Sequence, residues 1–277
     1  MGFYDLSKAE REQRYRDIQA DIARDMEKGR FSVAAAYFDD ADTYIRKAAY
    51  LGVGRLYKLD LIPAADIIRM LDALMESGSE RIRQTAINAA GEIAMDDFAC
   101  VEHLFDIGIS DPHHSVRNAV QGSLKKAGER NPAQIIPFCR RHITSPDPEA
   151  RRTAAHGLEL RGRTRPEDVM PALRLLQFET HRRVRPMLIH IFGQISYKMG
   201  CLPKVTAELL TWEDKALADE CFGAIIRQHY HIHGHFRTVE TLSPGECEEC
   251  IHKMQNCPSI VKIDGQPRFA RIISRRP

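Results

Sequence analysis

Residues 229–236 read HYHIHGHF, with a histidine at every second position, and residues 247–257 read CEECIHKMQNC, which sets His252 among Cys247, Cys250 and Cys257. Imidazole nitrogen and thiolate sulfur are the donors that borderline-soft zinc takes in a tetrahedron, and a C-x2-C pair is the usual first half of such a site. No second C-x2-C follows. Zinc would therefore be completed by Cys257 and one of His231, His233, His235 or His252. Two other readings stay open for this tail: a redox dithiol at Cys247 and Cys250, or a mixed polar and apolar cap over whatever precedes it. A metal held there would be structural, since a small hairpin without a large core gains from a staple. If residues 229–236 are extended, a period of two sends His231, His233 and His235 to one side; if they are helical, the three scatter around the axis.

The elements that must position these residues follow from an internal repeat. DTYIRKAAYLGVGRL (42–56), SERIRQTAINAAGEI (79–93), HHSVRNAVQGSLKKA (113–127), DPEARRTAAHGLELR (147–161) and HRRVRPMLIHIFGQI (181–195) align so that Arg46, Arg83, Arg117, Arg151 and Arg185 fall in register, at spacings of 37, 34, 34 and 34 residues. A sixth copy, DKALADECFGAIIRQ (214–228), places Asp219 where the arginine stood. Apolar or small residues recur along one helical face after each marker, as at Ala90 and Ile93 or Phe192 and Ile195. Each segment between the markers has its own apolar stripe, and Pro132 and Pro166 stand where a first helical turn lacks no hydrogen bond. The turns SDPHH and SPDPE supply capping oxygens for the helices that follow. One helix pair cannot bury its apolar face alone, whereas stacked pairs share a continuous interior.

These residues resemble the HEAT-repeat family, in particular its short HEAT-like form of the phycobilin-lyase type: an Asp or Ser in the turn, then V-R-x-A-A, then an apolar residue and often glycine, as at Gly54, Gly91 and Gly193. The resemblance covers residues 40–236. It implies an all-α, right-handed α-solenoid of about six helix-pair repeats. Residues 1–39 read as an amphipathic N-terminal helical cap, and residues 237–277 as a small cysteine-containing tail with a β-hairpin turning at Asp264-Gly265. The last repeat helix is expected to end near Gln228 or His229.

The register arginines invite a reading as an anion-binding ladder, but in the family such arginines bond turn acids of the same or the next repeat. Better contact candidates lie one to nine positions beyond each marker, on the face that lines the concave surface of such arrays: Asn88, Asn118, Gln121, Lys125, Arg152, His156, His190 and Gln194. His156 and His190 share a register in neighbouring repeats, which predicts a separation of roughly 10 Å, one helix spacing, too far for a shared metal ion without rearrangement.

Charge is uneven along the chain. Residues 113–200 hold 16 Lys or Arg against 7 Asp or Glu, while residues 1–112 hold 14 against 21. That asymmetry predicts either an anionic partner or pairing between regions of the protein. A partner polypeptide on the concave face and the basic middle is the leading expectation, as for a scaffold without catalysis. The alternatives are a nucleic-acid-binding protein or a metal-binding sensor or enzyme using the tail. HEAT-like arrays form DNA-alkylation-repair glycosylases, whose cleft shows tryptophans to DNA beside a catalytic carboxylate. The single Trp212, in TWEDK, reads instead as a packing residue, and no HE dipeptide matches the repeated His-Glu pairs of the HEAT-repeat di-iron hydroxylases. Cys100, Cys139, Cys201 and Cys221 stand singly at apolar positions and read as reduced core thiols. No run approaches the roughly 18 apolar residues of a membrane span, and a cytoplasmic location is expected.

Overall fold

The computed structural model describes residues 3–198, 200–233, 262–263 and 266–267. Its helices are α1 (Lys8–Glu27), α2 (Ser32–Phe38), α3 (Thr43–Lys58), α4 (Ala64–Met75), α5 (Glu80–Ala94), α6 (Glu102–Ile109), α7 (His114–Arg130), α8 (Pro132–Ile143), α9 (Pro148–Gly157), α10 (Glu159–Gly162), α11 (Pro166–Leu173), α12 (Arg185–Ser196), α13 (Leu202–Leu210) and α14 (Lys215–His233). Short 3-10 turns cover Phe3–Asp5 and Arg174–Leu176. Two strands of two residues each, β1 (Lys262–Ile263) and β2 (Gln266–Pro267), pair antiparallel with Lys262 opposite Pro267, on either side of the expected turn.

Helix starts follow the expected chemistry. α8 and α11 begin on Pro132 and Pro166, where the missing N–H has no intrahelical acceptor to lose. Asp147 caps α9 by accepting from the Glu149 amide at 2.9 Å. In SDPHH the cap of α7 falls instead to His113, whose Nδ1 accepts from the Ser115 amide. Asp111 is occupied by the His113 amide at 2.8 Å and by Arg83.

The chain forms two compact units, residues 1–135 and 136–277. In the first, α1 packs on α3, α3 on α5 and α5 on α7, while α4 and α6 lie behind them against α5 and α7. In the second, α12 packs on α9 and α10 to one side and on α14 to the other, with α11 and α13 behind. Second helix therefore stacks on second helix, as helix-pair repeats require. The cores are mainly apolar: Phe38, Met70, Ile87 and Phe105 in the first unit, Leu173, Ile191, Phe192 and Ile225 in the second, are all buried. Close stacking needs small residues at the crossing. A Cβ at Gly91 on α5 would fall well inside van der Waals contact with the Ser123 side chain on α7.

The register arginines close the turns. Each reaches back six residues to a carbonyl left without a helical partner: Arg46 to Asp40 at 2.5 Å, Arg83 to Ser77 at 2.7 Å, Arg117 to Asp111 at 2.6 Å, Arg151 to Ser145 at 2.9 Å and Arg185 to Glu179 at 3.2 Å. Two of them also grip the turn acid of the next repeat as a fork. Arg83 donates to Asp111 at 2.7 and 3.1 Å, and Arg151 to Glu179 at 2.7 and 3.3 Å. Burial alone would push the Asp111 carboxyl up, but the Arg83 fork and the His113 amide outweigh it and hold the group below the usual carboxylate value. Arg83, Arg151 and Arg185 thus tie neighbouring repeats together, Arg185 through Glu220, while Arg46 and Arg117 fasten their own turns, so the five are engaged in the fold and not arrayed as an anion ladder.

Candidate functional site

Among the described residues, the second helix that is interrupted is the fourth. α9 stops at Gly157, the Leu158 amide bonds back three residues to the Ala155 carbonyl at 3.2 Å, and α10 resumes at Glu159. An i to i−3 bond tightens the turn and brings residues three apart into eclipse. His156 and Glu159 are that pair. Their Nε2 and Oε2 atoms lie 2.7 Å apart.

Glu159 is 2% exposed, and a carboxylate so buried is costly unless it is paired. Arg163, one turn on, donates through Nη2 to Oε1 at 2.5 Å. From the neighbouring repeat, His190 on α12 brings its Nε2 to 3.7 Å of Oε2. The rings of His156 and His190 meet edge to face with centroids 5.8 Å apart. The 10 Å expected from register is thus corrected: that figure separates helix axes, and side chains a few ångströms long, turned toward one desolvated carboxylate, close the gap. Burial then differs between the two, His156 being shielded at 13% and His190 half open at 51%.

The polar chain continues across the face. Arg163 Nη2 also donates to Gln194 Oε1 at 2.7 Å, and Gln194 Nε2 donates to Gln228 Oε1 at 2.8 Å, linking α12 to α14. Toward the start of α9, Glu149 lies 2.8 Å from Arg183 Nε and 3.5 Å from Arg152 Nε. Of the expected contact residues, Arg152, His156, His190 and Gln194 are therefore gathered in the second unit around Glu149 and Glu159. Asn88 on α5 and Asn118, Gln121 and Lys125 on α7 lie in the first unit, with Asn118 exposed and the others half-buried.

Glu159 was absent from the sequence-derived set. It occupies the position eight residues beyond the register arginine, where three other repeats carry Gly54, Gly91 and Gly193. Lys125 and Arg227 stand there in the other two, so a single acid among glycines and bases is the signal that marks it.

The basic excess of residues 113–200 is largely answered by acids. Arg130 pairs with Asp96 at 2.8 Å and Lys126 approaches Glu92 at 3.8 Å; Arg161 meets Asp168, Arg174 meets Glu208 and Arg185 meets Glu220. Arg140, Arg165 and Arg182 remain exposed. Trp212 is fully buried, edge-on to Phe192 at 5.0 Å, with Nε1 donating to Glu208 at 3.3 Å, so it packs and presents no platform to a base.

AlkD2 from Streptococcus mutans is similar in structure over 75% of this chain and 97% of that one, with a TM-score of 0.50 and 14% identity. The fold is that of the HEAT-like helical repeats. Weaker likenesses to this HEAT-like array are a designed armadillo repeat protein (TM-score 0.30, 16% identity, 66% of this chain and 92% of that one) and the CpcE–CpcF complex of phycocyanin lyase from Nostoc sp. PCC7120 (TM-score 0.26, 14% identity, 79% and 94%). No protein-family model and no curated protein matches the chain.

The tail ligands named from the sequence are placed as follows. Cys247, Cys250, Cys257, His235 and His252 lie outside the described residues. His231 and His233 belong to α14, whose side chains are likewise undescribed from His229 onward. α14 runs to His233, beyond the expected end at Gln228 or His229, because residues 229–233 contain neither glycine nor proline. The core thiols are where the pattern put them: Cys139, Cys201 and Cys221 are buried and Cys100 half-buried, and burial raises all four thiols, which suits packing and not nucleophilic attack. No helix among the described residues is long and apolar enough to cross a membrane.

Proposed function

We propose that the protein is a HEAT-like interaction module that binds a partner polypeptide on the second-helix face of residues 136–277, with Arg152, His156, His190 and Gln194 at the centre of contact. The observation that carries this reading is the hydrogen-bonded chain from Arg163 through Gln194 to Gln228, which fixes polar side chains on α12 and α14 before any ligand arrives. Preorganised donors and acceptors lose little freedom on binding, and that favours a surface built for recognition. The neutralised arginines and the buried Trp212 favour a polypeptide over a phosphate backbone. Asn88, Asn118, Gln121 and Lys125 provide comparable polar positions in the first unit.

The test is capture from cell extract on the immobilised full-length chain, compared with the double variant Arg152→Ala/His190→Ala, alongside fluorescence anisotropy with duplex DNA over a salt series. A polypeptide retained at raised salt by the native chain and lost by the variant supports the reading. Tight DNA binding that collapses steeply with salt, with no polypeptide retained, overturns it.

A further inference from the structure

We propose that His156, Glu159 and His190 form a binding site for a single borderline divalent transition-metal ion of the zinc type. The three donor atoms, one from each residue, lie within 4.8 Å of one another. In a tetrahedral site with metal–nitrogen and metal–oxygen distances of about 2.0–2.2 Å, ligand atoms stand roughly 3.3–3.6 Å apart. Here Glu159 Oε2 is 2.7 Å from His156 Nε2 and 3.7 Å from His190 Nε2, so the two distances found lie on either side of the required spacing. The remaining adjustment falls on the His156–Glu159 pair, whose direct contact must open by about 0.6 Å to admit an ion between the two atoms, while His190 already stands close to the required distance.

Three further features fit an ion. The donors come from α9, α10 and α12, two successive repeats, so their placement is set by the stacking of helices and not by a loop. Glu159 presents a carboxylate that is 2% exposed, unlike the acidic side chains of an ordinary solvated surface. Its other oxygen, Oε1, is held by Arg163 at 2.5 Å, and a carboxylate hydrogen-bonded from behind is the usual supporting arrangement for a ligand oxygen, since it fixes which oxygen faces the metal. Two imidazole nitrogens with one carboxylate oxygen select zinc and its neighbours over calcium or magnesium, which take oxygen donors. The positive charge of Arg163 opposes a dication, so binding is moderate and not irreversible. The site stands apart from the polypeptide reading, because the ion is measured without any partner.

The experiment uses the full-length chain with Cys247→Ser, Cys250→Ser and Cys257→Ser, which removes the thiols of the tail as competing ligands. Co2+ is titrated in and the visible d–d absorption followed. The expected result is a band that saturates at one equivalent without thiolate-to-cobalt charge transfer, is displaced by Zn2+, and weakens at least about tenfold in affinity on His190→Ala. His190 is half exposed, so that variant keeps its fold, which an unchanged melting curve in the absence of metal verifies; His190→Gln, closer in size, serves as the second variant. A chain that develops no band, or a band that persists with the same affinity in both His190 variants, overturns the site.

Discussion

Replacing Arg151 by alanine tests whether the register arginines hold neighbouring repeats together. The substitution removes the two hydrogen bonds to the Ser145 and Pro146 carbonyls, at 2.9 and 3.0 Å, and the fork on Glu179 at 2.7 and 3.3 Å. Glu179 has a side chain only 8% exposed and would keep the backbone amides of His181, at 2.8 Å, and Thr180 as donors but no opposite charge from Arg151. Breaking one side of a fully buried pair costs about 3–5 kcal/mol. Arg151 is 18% exposed, so water relieves part of the penalty, and about 2–3 kcal/mol is expected. Arg151→Lys keeps the charge but not the fork and should cost about 1–2 kcal/mol. Adding Glu179→Gln to Arg151→Ala should recover about 1 kcal/mol, because an uncharged amide tolerates burial better than a lone carboxylate.

The assay is urea unfolding followed by the fluorescence of Trp212, the only tryptophan. Burial alone would raise the Glu179 carboxyl, but the Arg151 fork and the His181 amide outweigh it and hold it low. A depressed carboxylate contributes stability that is present above its unfolded value of about 4.3 and is lost as pH falls through the lower folded value. The gap between native and Arg151→Ala chains must therefore close on acidification. A loss under about 0.5 kcal/mol at neutral pH, within the range of ordinary surface substitutions, or a loss that is the same at every pH, would refute the reasoning.

Three other outcomes follow from the packing. Gly91→Ala should lower stability by about 1–3 kcal/mol by forcing α5 from α7 at Ser123, whereas Gly122→Ala on α7, whose added carbon meets nothing within 4 Å, should raise it by up to about 1 kcal/mol; paired melting curves decide. Trp212→Ala should cost about 3–5 kcal/mol, and an equal loss of DNA binding in a chain that remains folded would contradict its role as a core residue. Mass-spectrometric mapping of alkylation should find Cys139 and Cys221 unmodified in the folded protein and modified in urea, because burial both shields these thiols and suppresses their thiolates.

The repeat architecture was legible because each unit is local. A helix pair, its capping turn and its register arginine lie within about 34 residues, and the 3.6-residue period, Pro132, Pro166 and the turn acids report on their own neighbourhoods. The candidate site was legible only in part. Arg152, His156, His190 and Gln194 could be chosen from register, since register determines which face of a helix a residue occupies.

Distance between side chains on neighbouring repeats is another matter. The tightened turn at Leu158 swings Glu159 under His156, and His190 comes to it from 34 residues away. Pairing of the basic middle with Asp96, Glu208 and Glu220 likewise joins residues 34 or 35 apart, across the stack. The amino-acid order by itself determined the helices, their spacing and their apolar faces. Only tertiary stacking decided that a buried carboxylate would gather two histidines and an arginine, because the desolvation that makes Glu159 demand those partners does not exist until the repeats close over it.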